Sequence, residues 1–325
     1  MIISQTPLRI SFFGGGTDLR SFYHAHGGAV LSTAIDRHVY VVVKRRFDRM
    51  IRVSYTHTEM VDRVEDIRHD LVREAMMLAG VGPGIEIVTL ADIPSEGTGL
   101  GSSSSLTVGL LNALYAFEGE AKGAKELAEL ACHIEIERLH HPMGKQDQYI
   151  AAYGGLRHIQ FHSDESTDCL EPEIPETNIS QLRSRLLAFF TGQSRSSSSI
   201  LEEQQARTAE HFDILQAMRD QTKRAVDMLR HGKFDDFGRM LDDAWQLKRQ
   251  LASNITNPVI EEMYTTARSA GALGGKLSGA GGSGFMLLFV PPERQDAVRA
   301  AMSGRMELPI QFERRGSRIT FHTER

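Results

Sequence analysis

Apolar positions divide the chain into a strand-rich first half and a helix-rich second half. Residues 9–13, 39–43, 51–55 and 85–90 are short β-branched or aromatic runs and read as strands. A helix is predicted over 65–78, another behind residue 102, and a third over 124–139. In the third, Leu127, Leu130, Ala131 and Ile134 fall at i, i+3, i+4 and i+7, the stripe of an amphipathic helix. A polar stretch with Pro172 and Pro175 then reads as a link, which divides the chain into domains 1–183 and 184–325. The second domain opens with a buried-looking strand at 186–190 and continues with helices over 200–230, 234–251 and 258–270. A glycine-rich segment, 274–284, feeds a strand at 285–290, and a helix and two strands (310–313 and 318–322) finish the chain. Strands and helices mix without regular βαβ alternation, so the predicted class is α+β. No internal repeat is visible.

Three glycine clusters stand at the ends of predicted elements: Gly14-Gly15-Gly16, the loop from Pro94 to Ser105, and Gly274 to Gly284. The second runs straight into an apolar helix. Glycines let a backbone turn tightly against a ligand, and a helix start offers unpaired N–H groups and a positive dipole end, the ingredients of a phosphate site. Serines at that start are expected to cap the helix, and one can face a metal ion. Gly279-Ala280-Gly281-Gly282-Ser283-Gly284 satisfies G-x-G-x-x-G but precedes a strand instead of opening a helix, so it is no dinucleotide fingerprint. The nearest approach to a Walker A loop, ending at Lys276, is one residue short and is followed by Leu277.

Composition narrows the field. With 41% hydrophobic and 24% charged residues, the chain is that of a globular protein. A net charge of −5 argues against nucleic acid, which calls for a basic face. The longest apolar runs are strand-sized, far short of a membrane span, and the N-terminal residues lack a signal-peptide pattern. Cys132 and Cys169 sit in no metal or disulfide spacing, and a reducing, cytoplasmic compartment fits them.

The three glycine segments, in this order, resemble the three motifs of the GHMP kinase superfamily, named for galactokinase, homoserine kinase, mevalonate kinase and phosphomevalonate kinase. The first motif runs from Thr6 to Asp18, the second contains Gly99-Leu100-Gly101-Ser102-Ser103, and the third runs from Lys276 to Gly284. The resemblance spans essentially the whole chain. It implies an N-terminal domain like ribosomal protein S5 domain 2, a C-terminal ferredoxin-like α/β sandwich, and an active site in the cleft between them. Gly14-Gly15-Gly16-Thr17-Asp18, where galactokinases have Gly-Glu-His-Thr-Asp, and Gly144-Lys145-Gln146-Asp147-Gln148-Tyr149 resemble the D-glycero-D-manno-heptose 7-phosphate kinases. Those enzymes phosphorylate the anomeric hydroxyl with ATP, and their 1,7-bisphosphate product feeds nucleotide-activated heptose for surface polysaccharides.

The resemblance also implies roles. ATP phosphates fall to Pro94, Gly97, Gly99, Leu100, Gly101, Ser102, Ser103 and Ser104. Mg²⁺ falls to Ser103 and a glutamate. Helical phase does not choose between Glu135 and Glu137; family spacing, five residues before Pro142, gives Glu137. Asp147 matches the catalytic aspartate, able to take a proton from the sugar hydroxyl or to orient it. Arg9 aligns with an arginine able to pair with it and steady the transferring group, and Lys145 is assigned to phosphate charge. Asp18 aligns with a sugar-binding aspartate, and Gly15, Gly16 and Thr17 surround it. Arg195, beside a helix start, is a candidate clamp for the 7-phosphate. Lys276, Ser278, Gly279, Gly281 and Gly282 are placed along the cleft from the second domain. The expected partner is a small sugar phosphate, with no nucleic acid or membrane, and the protein a monomer or homodimer. Two other readings stand beside this one: a galactokinase- or fucokinase-like enzyme acting on a non-phosphorylated sugar, and a non-catalytic ligand-binding protein of the same fold. Retention of Ser103, Glu137 and Asp147 favours an active kinase.

Overall fold

A computed structural model describes residues 1–93, 97–192 and 198–323. Among them the strands are β1 (Ile2–Phe13), β2 (Gly28–Arg45), β3 (Ile51–Ser54), β4 (Thr58–Val61), β5 (Ile85–Ala91), β6 (Leu156–Phe161), β7 (Thr167–Leu170), β8 (Leu186–Phe190), β9 (Gly274–Leu277), β10 (Phe285–Phe289) and β11 (Arg318–His322). The helices are α1 (Arg20–His26), α2 (Asp70–Ala79), α3 (Ser102–Phe117), α4 (Ala124–Cys132), α5 (Gln146–Tyr153), α6 (Glu176–Arg183), α7 (Ser198–Ala206), α8 (Phe212–Arg230), α9 (Phe234–Lys248), α10 (Pro258–Ser269) and α11 (Gln295–Ala301). The class is α+β, as the pattern predicts.

A large sheet of the first domain has the order β11-β1-β2-β5-β3-β4, with β6 also on β2 and β7 on β6. The length of β2 explains the branch. Residues 28–33 pair with β6 and residues 39–45 with β5 along the same edge, while β1 takes the other. In its C-terminal half Val39, Val41 and Val43 are buried and their neighbours Tyr40 and Val42 less so, the period of a sheet with one covered face. Residues 8–13 of β1 and 28–35 of β2 are instead buried on both faces.

The second domain supplies the extra cover. Phe12 and Phe13 meet Phe237 of α9 edge-on, with ring centroids 5.7 and 5.1 Å apart. Leu8, Ile10, Leu31 and Ile35 share one apolar cluster with Leu186, Ala188, Leu241 and Leu287. The two domains therefore have a common core, and the end of β1 that carries Arg9 is fixed from both sides. The second domain has its own antiparallel sheet, β8-β10-β9, packed on helices around the fully buried Trp245.

Several boundaries differ from the sequence pattern. The helix predicted over 200–230 breaks between α7 and α8, where the Thr208 hydroxyl donates to the Gln204 and Gln205 carbonyls (3.1 and 3.0 Å). The helix predicted over 65–78 is a short 3₁₀ turn, Val64–Asp66, followed by α2. The polar link holds β7 and α6. Residues 310–313 form no strand but one isolated bridge, Ile35 to Phe312. The chain end, β11, returns to pair with β1, so the first sheet is completed by residues far beyond 183. Among the described residues no helix is long and apolar enough to cross a membrane.

Candidate active site

The site is built outward from Arg9. The β1–β2 register shifts between Pro7 and Leu8, an irregularity of the kind that re-aims neighbouring side chains. The buried Arg9 guanidinium grips Asp147, in the first turn of α5, through two parallel bonds: Nε to Oδ1 at 2.7 Å and Nη2 to Oδ2 at 2.6 Å. Its third nitrogen donates to the Gly99 carbonyl, and its backbone N–H to the Leu100 carbonyl at 2.9 Å. One residue thus joins the start of α5 to the glycine loop. Gly101 makes the contact possible, since a Cβ there would lie 3.1 Å from Arg9 and 3.3 Å from Asp147.

Gly97, Gly99 and Gly101 all have left-handed φ, 67°, 72° and 79°. A Cβ on Gly99 would stand 2.4 Å from the Ser278 carbonyl oxygen, and one on Gly279 would stand 2.5 Å from the Gly99 Cα. Ser283 Oγ donates to the Gly97 carbonyl at 3.1 Å. The loop and the second domain's glycine segment are therefore pressed backbone to backbone. The expected serine cap is not formed: Gly101 occupies the cap position of α3 without a side-chain bond. The first N–H groups of α3 have no intrahelical partner, and uncapped they suit an anion.

A cleft of about 630 Å³ lies between these parts. It brings together Arg9, Gly15, Gly16, Asp18, Gly97, Gly99, Gly101, Ser102, Ser103, Asp147, Lys276, Ser278, Gly279 and Gly281. Asp18 is buried, its Oδ1 accepting from the Gly16 N–H (2.9 Å) and its Oδ2 from the Gln146 N–H (3.3 Å). Burial raises its pKa above the ordinary value; the Gly16 N–H opposes this and the charge of Asp147 adds to it.

Other predicted residues take different positions. The Thr17 side chain does not line the cleft; its hydroxyl donates to the Gly14 and Ala29 carbonyls (2.7 and 2.9 Å) and braces the turn. Leu100 is buried in the interdomain core. Gly282 lies behind the wall, its N–H donating to the Ile255 carbonyl at 2.8 Å. Lys145 points away from the cleft, toward Glu165, whose carboxylate it meets at 2.7 Å while sitting 4.6 Å over the Tyr23 ring. Against the cost of burial, Lys145, Tyr23 and Arg20 hold Glu165 down at about 2. Pro94 and Arg195 lie outside the described residues.

Glu137, the carboxylate expected for a metal, does not line the cleft. Glu137 is 69% exposed and bonded to His133 Nδ1 at 2.6 Å. Glu135 is fully buried against the start of α3. The cause is local winding: α4 ends at Cys132 and the chain continues as a π-helix, His133–Arg138, which spends more residues on each turn. Gln148 donates to Glu135 Oε2 at 2.7 Å, while Glu135 Oε1, Ser102 Oγ and Ser104 Oγ are buried without a hydrogen-bond partner. Burial pushes the Glu135 carboxyl up to about 7, opposed by the nearby Ser104, Gln148 and Ser103 side chains. A buried carboxylate with an idle oxygen beside serine hydroxyls is a hard-oxygen donor set of the type Mg²⁺ takes, so these residues fit the ion. Among the described residues no cluster of three or more His, Cys, Asp or Glu offers a closed metal cage.

Asp70, His141, Leu201, Gln204 and Lys248 line the cleft from outside the motifs. Lys248 ends α9 and lines the cleft. Its signal was in the sequence: it continues the buried stripe Phe237, Leu241, Ala244, where a lysine is out of place.

Residues 65–155 match the family model described as GHMP kinases N terminal domain, and residues 225–308 match GHMP kinases C terminal. The chain belongs to the GHMP kinase family. This kinase is 29% identical over 311 residues to the D-glycero-alpha-D-manno-heptose 7-phosphate kinase of Campylobacter jejuni, covering 90% of this chain and 91% of that one. It is 27% identical to the L-fucokinase/L-fucose-1-P guanylyltransferase of Bacteroides fragilis over 92% of its own length and 35% of the larger protein. Its fold superposes on a D-glycero-D-manno-heptose 1-phosphate kinase from Bacteroides thetaiotaomicron with a TM-score of 0.83 at 23% identity, over all of both chains. On Lactococcus lactis galactokinase, complexed with galactose, the TM-score is 0.78 at 19% identity, over 98% and 94% of the two chains. The GHMP kinase is accordingly a phosphotransferase.

Proposed function

We propose that this enzyme transfers the terminal phosphoryl group of ATP to the anomeric hydroxyl of D-glycero-D-manno-heptose 7-phosphate, giving the 1,7-bisphosphate for nucleotide-activated heptose. The observation that carries the reading is the bidentate Arg9–Asp147 pair in a cleft walled by the glycine loop on one side and Asp18 on the other. Phosphoryl transfer asks little covalent work of a protein and much positioning. Asp147 orients the acceptor hydroxyl and receives its proton, and Arg9 fixes the carboxylate so that a chosen oxygen faces the acceptor. Asp18 takes sugar hydroxyls. Gly97, Gly99, Gly101 and the first turn of α3 receive the nucleotide phosphates. Ser103 and Glu135 are the residues to hold Mg²⁺, which when bound would neutralise phosphate charge. The heptose assignment draws on the Campylobacter jejuni relative and on the Gly14–Asp18 form of the first motif.

ADP release measured with heptose 7-phosphate, the unphosphorylated heptose, galactose and fucose tests the acceptor, and phosphorus NMR of the product reads the position. Turnover of heptose 7-phosphate with a new anomeric phosphate is expected. Turnover of galactose or fucose alone would replace this reading with a kinase for non-phosphorylated sugars.

A further inference from the structure

Two buried lysines in the cleft, Lys248 and Lys276, form no ion pair among the described residues. Lys276, on β9, is 4% exposed and donates to the Phe12 carbonyl at 3.2 Å. Lys248, at the end of α9, is 5% exposed and donates to the carbonyls of Leu277 (3.4 Å) and Gly279. Among the described residues neither lies within 4.0 Å of a carboxylate. An ammonium has three donors, so on these bonds Lys276 has two left and Lys248 one. Arg9 is already engaged, spent on Asp147 and Gly99, and His141, which also lines the cleft, lies 3.9 Å from Asp70. Asp18, whose charge acts on both lysines, is occupied by the Gly16 and Gln146 N–H groups.

Buried charges are normally paired, because an uncompensated one costs several kcal/mol. Here burial, mutual repulsion and the charge of Arg9 together push the Lys248 ammonium well below the usual lysine range; burial and Arg9 bring Lys276 to about 7. Such a pair matches a ligand with two negative charges. Position selects which one. Lys276 donates to the carbonyl of Phe12, two residues before Gly14, and a Cβ on Gly16 would lie 3.7 Å from Leu251, three residues after Lys248, so both lysines sit beside the Gly14–Asp18 turn, whereas Glu135 is bonded to Gln148 next to the buried serines at the start of α3. The lysines therefore belong to the acceptor's side and the serine–glutamate group to the nucleotide's side.

We propose that Lys248 and Lys276 form the receptacle for the phosphate group the acceptor itself carries, making the enzyme selective for sugar phosphates. This rests on the reading of the cleft as a sugar kinase site, but not on heptose as the sugar. The test compares the wild type with Lys248→Met, which keeps the buried stem, and Lys248→Gln, which keeps a donor for the Gly279 carbonyl. KM for heptose 7-phosphate is expected to rise roughly 10- to 100-fold, the value of a charged hydrogen bond, while KM for ATP changes less than about twofold. A rise in KM for ATP with the acceptor unaffected would overturn the proposal, because the nucleotide's own phosphate would then own the lysines. So would an unchanged KM for both. In the wild type, inorganic phosphate is expected to inhibit competitively against the acceptor and not against ATP; competition against ATP alone overturns the proposal without any variant. If heptose 7-phosphate is not turned over, the sugar assignment fails, and nucleotide-free thermal shifts with inorganic phosphate decide the lysines. A shift present in the wild type and absent in both variants supports the receptacle, and no shift in the wild type sinks it.

Discussion

Replacing Glu135 with glutamine separates the buried carboxylate from its exposed neighbour. Glutamine is isosteric and can still accept from Gln148 Nε2, which now lies 2.7 Å from Glu135 Oε2. The Glu135 carboxyl stands at about 7, against an ordinary 4.5. A folded-state value above the unfolded one means that the group favours folding at low pH and that this stability is lost as pH rises through about 7. The difference of 2.5 units, 7 minus 4.5, corresponds to about 3 kcal/mol once the group is ionised in both states. Without divalent ions at pH 8, Glu135→Gln should therefore raise Tm by several degrees, on the scale of ~2–4 °C per kcal/mol for domains of this size. Near pH 5 the gain should shrink toward zero. Saturating MgCl₂ should raise the wild-type Tm and leave the variant unmoved, while kcat falls on the order of 100-fold or more as a metal ligand is lost. Glu137→Gln is the control: with its partner His133 at the surface, neither Tm nor magnesium dependence should change. Scanning calorimetry with and without MgCl₂ at the two pH values reads the stabilities, and ADP release reads kcat. Loss of magnesium dependence in Glu137→Gln but not in Glu135→Gln would refute the assignment. A stability difference independent of pH would refute the buried-charge reasoning.

Four further substitutions test the remaining parts. Asp147→Asn should lower kcat by roughly 10²–10⁴ with KM for ATP little changed, and full activity would remove Asp147 from the mechanism. Lys276→Met should stabilise the ligand-free protein by a few kcal/mol below pH 7, and the advantage should fade between about 7 and 10.5; the wild-type lysine titrates lower when folded, so wild-type stability climbs over that window, and Tm against pH shows it. Gly99→Ala should raise KM for ATP and lower Tm together, since its Cβ would meet the Ser278 oxygen at 2.4 Å; Gly80→Ala, equally left-handed at φ 67° but facing open space, should cost about 1 kcal/mol in unfolding assays and leave KM unchanged.

What the sequence disclosed follows from how local the constraint is. Gly99, Gly101 and Gly279 were legible because a left-handed, close-packed backbone admits little but glycine, and spacing in the chain fixes spacing in the loop. Asp18 and Asp147 were placed by the resemblance of the Gly14–Asp18 and Gly144–Tyr149 segments to the family. Glu137 was chosen over Glu135 by spacing to Pro142, and spacing along the chain does not fix which side chain turns inward where the winding changes, as it does in the π-helical turn at His133–Arg138. Lys145 reads as a cleft residue from its place beside Asp147, yet Glu165 and Tyr23, on other elements, draw it to the far side. The return of β11 to β1 is a pairing across the whole chain, for which local pattern holds no mark.

The same positions explain why the two domains share a core. Among the described residues Glu135, Lys248 and Lys276 are each buried with no opposite charge within 4.0 Å; for Glu135 and Lys276, both brought to about 7, the cost is of order a few kcal/mol, against a whole-domain stability of about 5–15 kcal/mol. A cleft of this kind tends to open unless the walls are held by something unconnected to the charges. The Phe12, Phe13, Phe237 and Phe289 rings supply that hold, packed 5.1–5.7 Å apart behind the Arg9 end of β1. The interlocked glycines at 99 and 279 then fix the distance between the walls at backbone contact, where side-chain adjustment cannot loosen it. Ligands reverse the balance, since phosphate and metal charges neutralise the groups that destabilise the empty cleft. Occupancy should therefore tighten the domain interface even though the ligands touch none of its apolar residues.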